Sequence, residues 1–315
     1  MAESTGGGEV RDAAIAGAHG RGKGGGLCLS PVTAGTWRMA GWGMSARERL
    51  AWIEQCVDLG ITSFDHADVY GDYSVEELFG DALAHAPPSL RRSIQVVTKC
   101  GIKLVSGARP AQQIKSYDSS AHHIRLSVEA SLKKLRIDCI ELLLLHRPDL
   151  LAEPGEIAGV IEALRNEGKL RQFGVSNHST AQFETLHRAV PLCTNQVELS
   201  PLRLDALTDG TLNQCMNLGL RPMIWSPLAG GRLLTGTDEQ SLRARAALEH
   251  AAAAYGVSLS TMAFAWIFRH PSRPVIITGT RRRQGLEEAV AAMAVDLDRE
   301  NWYRIWSAGA GHEVA

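Results

Sequence analysis

The chain has 315 residues, of which 45% are hydrophobic and 21% are charged, as in an ordinary globular protein. Its 33 Lys and Arg residues against 34 Asp and Glu residues give a net charge of −1, which argues against a protein that binds nucleic acid by neutralising many phosphates. The sequence lacks both an apolar run of about 18 residues and a secretory signal pattern, so we expect no membrane span. Six scattered cysteines without a CxxC pair indicate reduced thiols and a cytoplasmic location.

The first 26 residues differ from the rest of the chain. They are rich in glycine, include GAHGRGKGGG at 17–26, and show no apolar periodicity. We therefore predict a flexible N-terminal tail over 1–26 and a single folded domain over 27–315.

Eight short apolar runs are predicted strands. Most of them do not alternate between apolar and polar residues, which is typical of parallel strands buried on both faces. In chain order they are Thr33–Trp37, Ile61–Ala67, Ile94–Cys100, Cys139–His146, Gln172–Ser176, Thr194–Leu199, Pro222–Trp225 and Val275–Thr278.

Helical patterns lie between most of these strands. Over 46–59, for example, Leu50, Ile53 and Val57 recur at helical spacing, and the pattern stops at Gly60. The other predicted helices are Ser120–Leu135, Ile157–Asn166, Ser258–Arg269, Gly285–Ala294 and Glu300–Ser307.

An unbroken series of eight strand-then-helix units predicts an α/β fold of the closed (β/α)8 type, the TIM barrel. The competing fold is an open doubly wound sheet, which would place a G-x-G-x-x-G turn after an early strand. Residues 27–315 contain no such turn, which favours the barrel. In such barrels the functional side chains lie at the C-terminal ends of the strands.

Ionisable residues follow three of the predicted strands. The second strand leads into Asp65 and Tyr70, the third ends at Lys99, and the fourth ends at His146. A lysine directly after an apolar strand needs an anionic partner if it is buried. We therefore expect Lys99 to pair with Asp65 on the neighbouring strand.

These four residues suggest a proton donor built around Tyr70. A phenol with a pKa of about 10 is a poor acid, and a nearby ammonium such as Lys99 lowers that pKa. Asp65 would orient Lys99, and His146 would hydrogen-bond the substrate oxygen or the phenol. Because reducing a carbonyl group also takes a hydride, this arrangement points to a nicotinamide cofactor.

Three more side chains suit a nicotinamide ring. The amides of Asn177 and Gln196 match its carboxamide group, and the indole of Trp225 could stack on its face. Each candidate also has an ordinary explanation, because a strand-end lysine can extend to solvent and a lone histidine or tryptophan often packs in a core. Four different polar residue types at the ends of neighbouring strands nevertheless favour a functional site.

Longer motifs resemble those of the aldo-keto reductase family. The segment GITSFDHADVYG at 60–71 resembles the family pattern G-x-x-x-F-D-T-A-x-x-Y-G, and SVEASLKKL at 127–135 and LLLLHRP at 142–148 resemble two further family segments. The resemblance extends in consistent order from about residue 29 to 310. The segment WYRI at 302–305 is similar to the bacterial YdhF-like subgroup of the family.

The resemblance implies an enzyme that reduces a small aldehyde or ketone with NADP(H) and uses no metal. The catalytic residues that it implies are Tyr70, Asp65, Lys99 and His146. The cofactor contacts that it implies are Gly35, Thr36, Trp37, Asp65, Ser176, Asn177, Gln196, Trp225, Ser226, Leu228, Gly230, Gly231, Gly279, Thr280, Arg281 and Glu288.

The sequence departs from the family pattern in two places. His66 replaces the usual Thr or Ser after the catalytic aspartate, and Gly285 and Ala289 replace the Gln and Asn of the adenine-end motif. The basic run RRR at 281–283 opposes the dipole of a helix that begins there, so a bound phosphate explains the run better than a solvated helix turn. NADP is therefore favoured over NAD.

Two other functions stay open at this point. Asp65, His66, Asp68, His146 and His178 offer a loose ligand set for a metal-dependent hydrolase on the same barrel. Adjacent strand residues such as Asp65 and His66 point to opposite faces, which weighs against that set. The family also includes nucleotide-sensing, non-catalytic regulatory subunits of potassium channels.

The substrate is not specified by any motif. It depends on loops near 38–46, 104–119 and 232–250, and Trp37 and Trp42 in the first of these suggest an apolar or aromatic carbonyl compound. The sequence predicts no oligomeric state.

Overall fold

The structure is a computed structural model that describes residues 29–315, so the predicted tail over 1–26 lies outside the described residues. All eight predicted strands form within one or a few residues of their predicted bounds. In chain order the strands are β1 (Val32–Gly35), β2 (Ser63–Asp65), β3 (Gln95–Cys100), β4 (Ile102–Lys103), β5 (Ser116–Tyr117), β6 (Ile140–Leu145), β7 (Leu170–Ser176), β8 (Asn195–Glu198), β9 (Met223–Trp225) and β10 (Val275–Thr278).

Eight of these strands close into one parallel barrel, as predicted. The spatial order is β1-β2-β3-β6-β7-β8-β9-β10, and β10 pairs with β1 to complete the ring. The short strands β4 and β5 form a separate antiparallel hairpin that follows β3. This hairpin was not predicted from the sequence.

The barrel is surrounded by helices, and every predicted helix is present in the structure. The helices are α1 (Ala46–Asp58), α2 (Val75–Leu83), α3 (Pro88–Ser93), α4 (Ala121–Leu135), α5 (Pro154–Asn166), α6 (Thr180–Ala189), α7 (Asp205–Thr208), α8 (Thr211–Asn217), α9 (Arg232–Thr235), α10 (Glu239–Tyr255), α11 (Leu259–Phe268), α12 (Arg283–Ala291) and α13 (Arg299–Ala310). Serine and aspartate side chains cap many of them. Ser45, for example, accepts a hydrogen bond from the backbone N–H of Glu48 at the start of α1.

The prediction of a loop over 232–250 is wrong, because α9 and α10 occupy most of that segment. The buried face of α10 is made largely of small residues, among them Ser241, Ala244 and Ala251. Small side chains allow close helix packing without producing a strong apolar pattern in the sequence. For this reason the sequence of α10 shows no clear apolar periodicity, and the helix was not predicted.

The strand β6 shows why the predicted strands lack alternation. Leu144 packs with Val97 and Met223 in a cluster contributed by barrel strands, whereas Leu143 packs with Ile124 and Ile161 from α4 and α5. Both faces of the strand are therefore buried, and both require apolar side chains.

The strand register carries the C-terminal ends of the strands to a common rim. Gly35 of β1 pairs with Asp65 of β2, and Ser176 of β7 pairs with Gln196 of β8. Over residues 29–315 no single helix is long and apolar enough to cross a membrane, although α10 and α11, bent by 93° at the break between them, pass on length and composition as a pair.

Candidate active site

A cavity of about 780 Å³ lies at the C-terminal rim of the barrel, and we call it the rim cavity. Its volume is in the range of ordinary ligand pockets. The predicted site residues in its wall are Gly35, Trp37, Asp65, Tyr70, His146, Ser176, Asn177, Gln196, Trp225, Ser226, Leu228, Gly230, Gly231, Gly279, Thr280 and Arg281. Residues from distant parts of the sequence thus meet in one place.

Lys99 lies just behind this wall and is only 1% exposed. Its ammonium group donates to Asp65 Oδ2 at 2.7 Å, to the backbone oxygen of His66 at 2.7 Å and to the Tyr70 hydroxyl at 3.1 Å. The predicted pairing of Lys99 with Asp65 is therefore present, and it brings the ammonium into direct contact with the phenol.

The pKa values of Lys99 and Tyr70 both lie above their usual values, which keeps the lysine charged and the phenol protonated. Burial alone would lower the pKa of Lys99, but Asp65 and Tyr70 together raise it above its usual value, so Lys99 is a cation at neutral pH. Burial raises the pKa of Tyr70 above its usual value, and the charge of Lys99 offsets only part of that rise. Lys99 thus lowers the pKa of Tyr70, as predicted, but burial outweighs this effect and the phenol is not unusually acidic.

His146 lies beside the phenol as a neutral imidazole. Its ring meets the Tyr70 ring edge to face, with 5.8 Å between the ring centroids. Burial lowers the pKa of His146 well below its usual value, and the positive charges of Lys99, Arg147 and Lys115 lower it further. Its Nδ1 atom is buried and has no hydrogen-bond partner among the described residues.

The side-chain amides predicted to face a nicotinamide are partly engaged with the protein. Gln196 Nε2 donates to Asp65 Oδ1 at 2.9 Å, so the two carboxylate oxygens of Asp65 have different donors. Asn177 Oδ1 accepts a hydrogen bond from the indole N–H of Trp225 at 3.1 Å, and Asn177 Nδ2 donates to Ser176 Oγ at 2.7 Å. These bonds fix the orientation of three groups in the cavity wall.

Thr36 and Glu288 are the two predicted cofactor contacts that do not line the rim cavity. Thr36 is fully buried behind the wall, where its hydroxyl donates to the backbone oxygen of Asp65 at 2.9 Å and lies 2.9 Å from His66 Nδ1. Glu288 lies on α12 and accepts a hydrogen bond from Gln284 at 3.2 Å. The basic run at 281–283 also divides, because Arg281 and Arg282 line the cavity whereas Arg283 pairs with Glu287 at 2.8 Å.

The segment 226–231 has an unusual backbone. Ser226, Ala229, Gly230 and Gly231 all have positive φ angles, between 51° and 106°. Residues other than glycine rarely adopt this conformation, and such residues are concentrated at active sites and ligand-binding segments. Ser226, Gly230 and Gly231 line the rim cavity.

Two arginine side chains connect this wall to the loop that follows β1. Arg38 donates to the backbone oxygen of Gly230 at 3.0 Å, and Arg281 donates to the backbone oxygen of Trp42 at 2.7 Å. Sequence reasoning missed Arg38 and Lys115 as wall residues. Arg38 directly follows the predicted first strand, a position that could have identified it, whereas nothing in the sequence marks Lys115.

The described residues contain no group of three or more His, Cys, Asp or Glu side chains arranged to hold a metal ion. Asp65 and His66 face different partners, since Asp65 contacts Lys99 and His66 packs against Phe79 with 4.4 Å between the ring centroids. The ligand set considered for a metal-dependent hydrolase is thus not assembled in this part of the chain.

The wall residues fit a nicotinamide dinucleotide. Arginines suit phosphate groups, backbone turns with positive φ angles suit a pyrophosphate, and an indole with its N–H already bonded suits an aromatic ring. A closed (β/α)8 barrel with a tyrosine hydrogen-bonded to a buried lysine, a neutral histidine and such a wall is the arrangement expected of one class of protein, the carbonyl-reducing oxidoreductases.

Comparison with known proteins identifies the family within that class. The model of the aldo/keto reductase family matches residues 31–310, and the chain belongs to that family. It is 45% identical to the uncharacterized oxidoreductase YcsN of Bacillus subtilis, over 91% of this chain and 97% of that protein. It is 43% identical to the oxidoreductase YdhF of Escherichia coli, over 91% and 95% of the two chains.

Solved structures show the same fold. The glycerol dehydrogenase of Gluconobacter oxydans matches with a TM-score of 0.78 and 27% identity, over 90% of this chain and 92% of that one. An aldo/keto reductase of Klebsiella pneumoniae, solved with NADP and acetate, matches with a TM-score of 0.71 and 26% identity, over 88% and 90%. The chain is thus an oxidoreductase of the aldo/keto reductase family.

Proposed function

We propose that the protein reduces an aldehyde or ketone to an alcohol with NADPH, and that Tyr70 donates the proton. The observation that carries this proposal is the hydrogen bond of 3.1 Å between the Lys99 ammonium and the Tyr70 hydroxyl, at the wall of the rim cavity. When bound, the reduced nicotinamide supplies the hydride that carbonyl reduction requires.

The residues of the chain divide the proton chemistry among them. The raised pKa of Tyr70 keeps the phenol protonated before the step, as a proton donor must be. As the carbonyl oxygen gains negative charge, the Tyr70 hydroxyl gives it a proton, and Lys99 stabilises the phenolate that remains. Neutral His146 is placed to hydrogen-bond the same oxygen, and Asp65 keeps Lys99 charged and oriented.

The proposed preference for NADPH over NADH rests on Arg281 and Arg282. Both line the rim cavity beside Thr280, at the end of the wall that follows β10. Guanidinium groups bind phosphate strongly, and the 2′-phosphate is the only group that distinguishes NADPH from NADH.

We also propose a cytoplasmic location for the protein. The five cysteines in the described part of the chain, four of them buried, are all free thiols, as expected in a reducing compartment.

The direct test measures loss of the absorbance of the reduced nicotinamide with a panel of aldehydes and ketones, once with NADPH and once with NADH. The proposal predicts turnover of at least one carbonyl compound, with a higher kcat/KM for NADPH than for NADH. Absence of turnover with both nucleotides, together with absence of nucleotide binding in a fluorescence titration, would refute it.

A further inference from the structure

The rim cavity carries an excess of positive charge. Asp65 is the only carboxylate in its wall among residues 29–315, and that carboxylate already pairs with Lys99 at 2.7 Å. The cationic side chains in the same wall are Arg38, Lys115, Arg147, Arg281 and Arg282. A cavity of this kind favours ligands rich in acceptor oxygens.

Three of these cations lie where the proposed nucleotide would bind. Arg281 and Arg282 belong to the segment after β10, and Arg38 bonds to the 226–231 segment through Gly230. The proposed nucleotide does not account for Lys115 and Arg147. They need a different explanation, and the inference below rests on the proposed function.

Lys115 and Arg147 line the rim cavity together with Tyr70 and His146. Arg147 directly follows His146, and Lys115 directly precedes β5 of the hairpin. The positive charge of each lowers the pKa of His146, and that of Arg147 also lowers the pKa of Tyr70. Both cations thus share the cavity wall with Tyr70 and His146, the residues that would face the carbonyl group of the substrate.

The nearby carboxylates are bound to other groups. Asp149 accepts hydrogen bonds from the backbone N–H groups of Ser119 and Leu151, at 2.8 and 3.0 Å. Asp118 accepts from Ser120 and pairs with Lys103. Neither carboxylate lines the rim cavity.

Burial raises the pKa of Glu198, and the charge of Arg203, 4.0 Å away, and then that of Arg147 offset part of this rise. Glu198 is also outside the cavity wall. Among the described residues, no side chain forms an ion pair within 4.0 Å of Lys115 or Arg147.

The hairpin that carries Lys115 is anchored to the barrel rim. The backbone N–H of Leu104 donates to the Tyr73 hydroxyl at 3.0 Å, and the guanidinium of Arg109 lies over the Tyr73 ring at 4.5 Å. Lys103 and Asp118 form an ion pair across the hairpin at 3.3 Å. The backbone at Lys115 is thus held close to the cavity, which reduces the cost of ordering its side chain on a ligand.

We propose that Lys115 and Arg147 bind acceptor oxygens of the substrate, on the part of the molecule next to its reacting carbonyl. The substrate class is then aldehydes or ketones that carry hydroxyl or carboxylate groups near the carbonyl. The apolar or aromatic carbonyl compound suggested by Trp37 and Trp42 is the alternative that this proposal replaces. Trp37 is 60% exposed, so it forms little of an enclosed apolar pocket.

The test compares three four-carbon aldehydes at saturating NADPH. Butanal has no second polar group, erythrose has hydroxyl groups, and succinic semialdehyde has a carboxylate. The quantity measured is the ratio of kcat/KM for each polar aldehyde to that for butanal. Each hydrogen bond from a cation to the substrate is worth about 10- to 100-fold in this ratio.

The variants Lys115→Met and Arg147→Met remove the charge and keep much of the side-chain volume. Lys133→Met is the matched control, because Lys133 is an exposed cation in the last turn of α4 and does not line the cavity. We expect wild type to favour at least one polar aldehyde by about tenfold or more. We expect Lys115→Met and Arg147→Met to bring that ratio toward one, and Lys133→Met to leave it unchanged.

The two polar aldehydes separate the sources of the oxygens, since a preference for succinic semialdehyde assigns a carboxylate and a preference for erythrose assigns hydroxyl groups. Equal or better turnover of butanal overturns the inference and leaves the proposed function standing, as does a ratio that the two variants do not change. Failure of wild type to reduce any of the three aldehydes while it also fails to bind NADPH overturns both.

Discussion

Lys99 is a fully buried ammonium group whose bonding capacity is completely used. An ammonium has three N–H donors, and those of Lys99 go to a carboxylate, a backbone oxygen and the Tyr70 hydroxyl. A buried charge that is not paired in this way destabilises a fold by several kcal/mol. The bond to Tyr70 is therefore both a structural requirement of the buried lysine and the basis of the proposed chemistry.

Asp68 is a second buried group close to the site, and its bonding is incomplete. Both of its carboxylate oxygens lack a hydrogen-bond partner among the described residues. Burial, and then the neighbouring charge of Glu76, raise the pKa of Asp68 to about 8 from an ordinary value of 3.8. Between these two pH values the folded protein holds a proton that the unfolded chain releases, so the free energy of unfolding falls as the pH rises.

We predict that Asp68→Asn makes stability less dependent on pH. From pH 5 to pH 8, wild type should lose roughly 2–4 kcal/mol more of its unfolding free energy than the variant does, because the amide has no proton to release. Urea denaturation at four pH values measures this. Asp58→Asn, at an exposed position, is the control and should follow wild type. Parallel curves for wild type and Asp68→Asn would contradict the prediction.

For single residues, the sequence identifies the side chains of the site better than it identifies their hydrogen-bond partners. Asp65 and Tyr70 lie within one motif, so local sequence was sufficient to find them. The lowering effect of Lys99 on the pKa of Tyr70 was predicted, but the larger raising effect of burial was not, because burial depends on the whole barrel. The amide of Gln196 was assigned to a ligand, whereas its first partner in the structure is Asp65, 131 residues away in the chain.

The packing of α2 on α4 depends on a single missing side chain. At Gly80 in α2, an added Cβ atom would overlap the backbone oxygen of Lys134 near the end of α4. The close approach matters to the site, because α2 begins five residues after Tyr70 and carries Glu76, which accepts from the Thr98 hydroxyl at 2.6 Å.

We therefore predict that Gly80→Ala destabilises the protein by about 1–3 kcal/mol, since backbone atoms must move to admit the methyl group. Gly159→Ala is the matched control. Gly159 is an exposed residue inside α5 with nothing within 4 Å of the added Cβ, so Gly159→Ala should stabilise the protein by about 0.5–1 kcal/mol. Thermal unfolding of Gly80→Ala and Gly159→Ala tests both expectations. A Gly80→Ala variant more stable than wild type would show that α2 and α4 are not in close contact.

At the element scale, the sequence located only some of the helices, and an apolar face was not sufficient, because α2 buries Val75, Phe79 and Leu83 and was not predicted. The helices α1 and α4 agree with their predicted bounds to within one residue at each end. The segment of α10 was predicted as a loop, and the helices α2, α3, α6, α7, α8 and α9 were not predicted individually. The hairpin of β4 and β5 was also not predicted, and it is held by Tyr73 and Asp118, not by a pattern of its own.

Barrel closure brings the two ends of the folded domain together. Because β10 pairs with β1, the segment that carries Arg281 and Arg282 lies next to the loop that carries Trp42. The proposed nucleotide site therefore spans about 240 residues of sequence, and its integrity depends on the whole barrel.

This geometry allows a selective test of nucleotide recognition. Arg282→Ala should weaken NADPH binding about tenfold and leave NADH binding nearly unchanged, because only NADPH has a phosphate at that end. Arg283→Ala is the neighbouring control, since Arg283 pairs with Glu287 outside the cavity and should affect neither nucleotide. Fluorescence titration measures both constants. Equal loss of affinity for the two nucleotides would place the phosphate elsewhere.

The proposed reaction depends on the Tyr70 hydroxyl as the proton source, and a comparison of wild type with Tyr70→Phe tests this role. Steady-state reduction of an aldehyde should be measured for wild type and Tyr70→Phe, with NADPH affinity determined on the same samples. We predict that Tyr70→Phe loses about 10²- to 10⁴-fold in kcat and keeps its NADPH affinity and its fold. Turnover at the wild-type rate by Tyr70→Phe, with the nucleotide still bound, would contradict the assignment of Tyr70 as the proton donor.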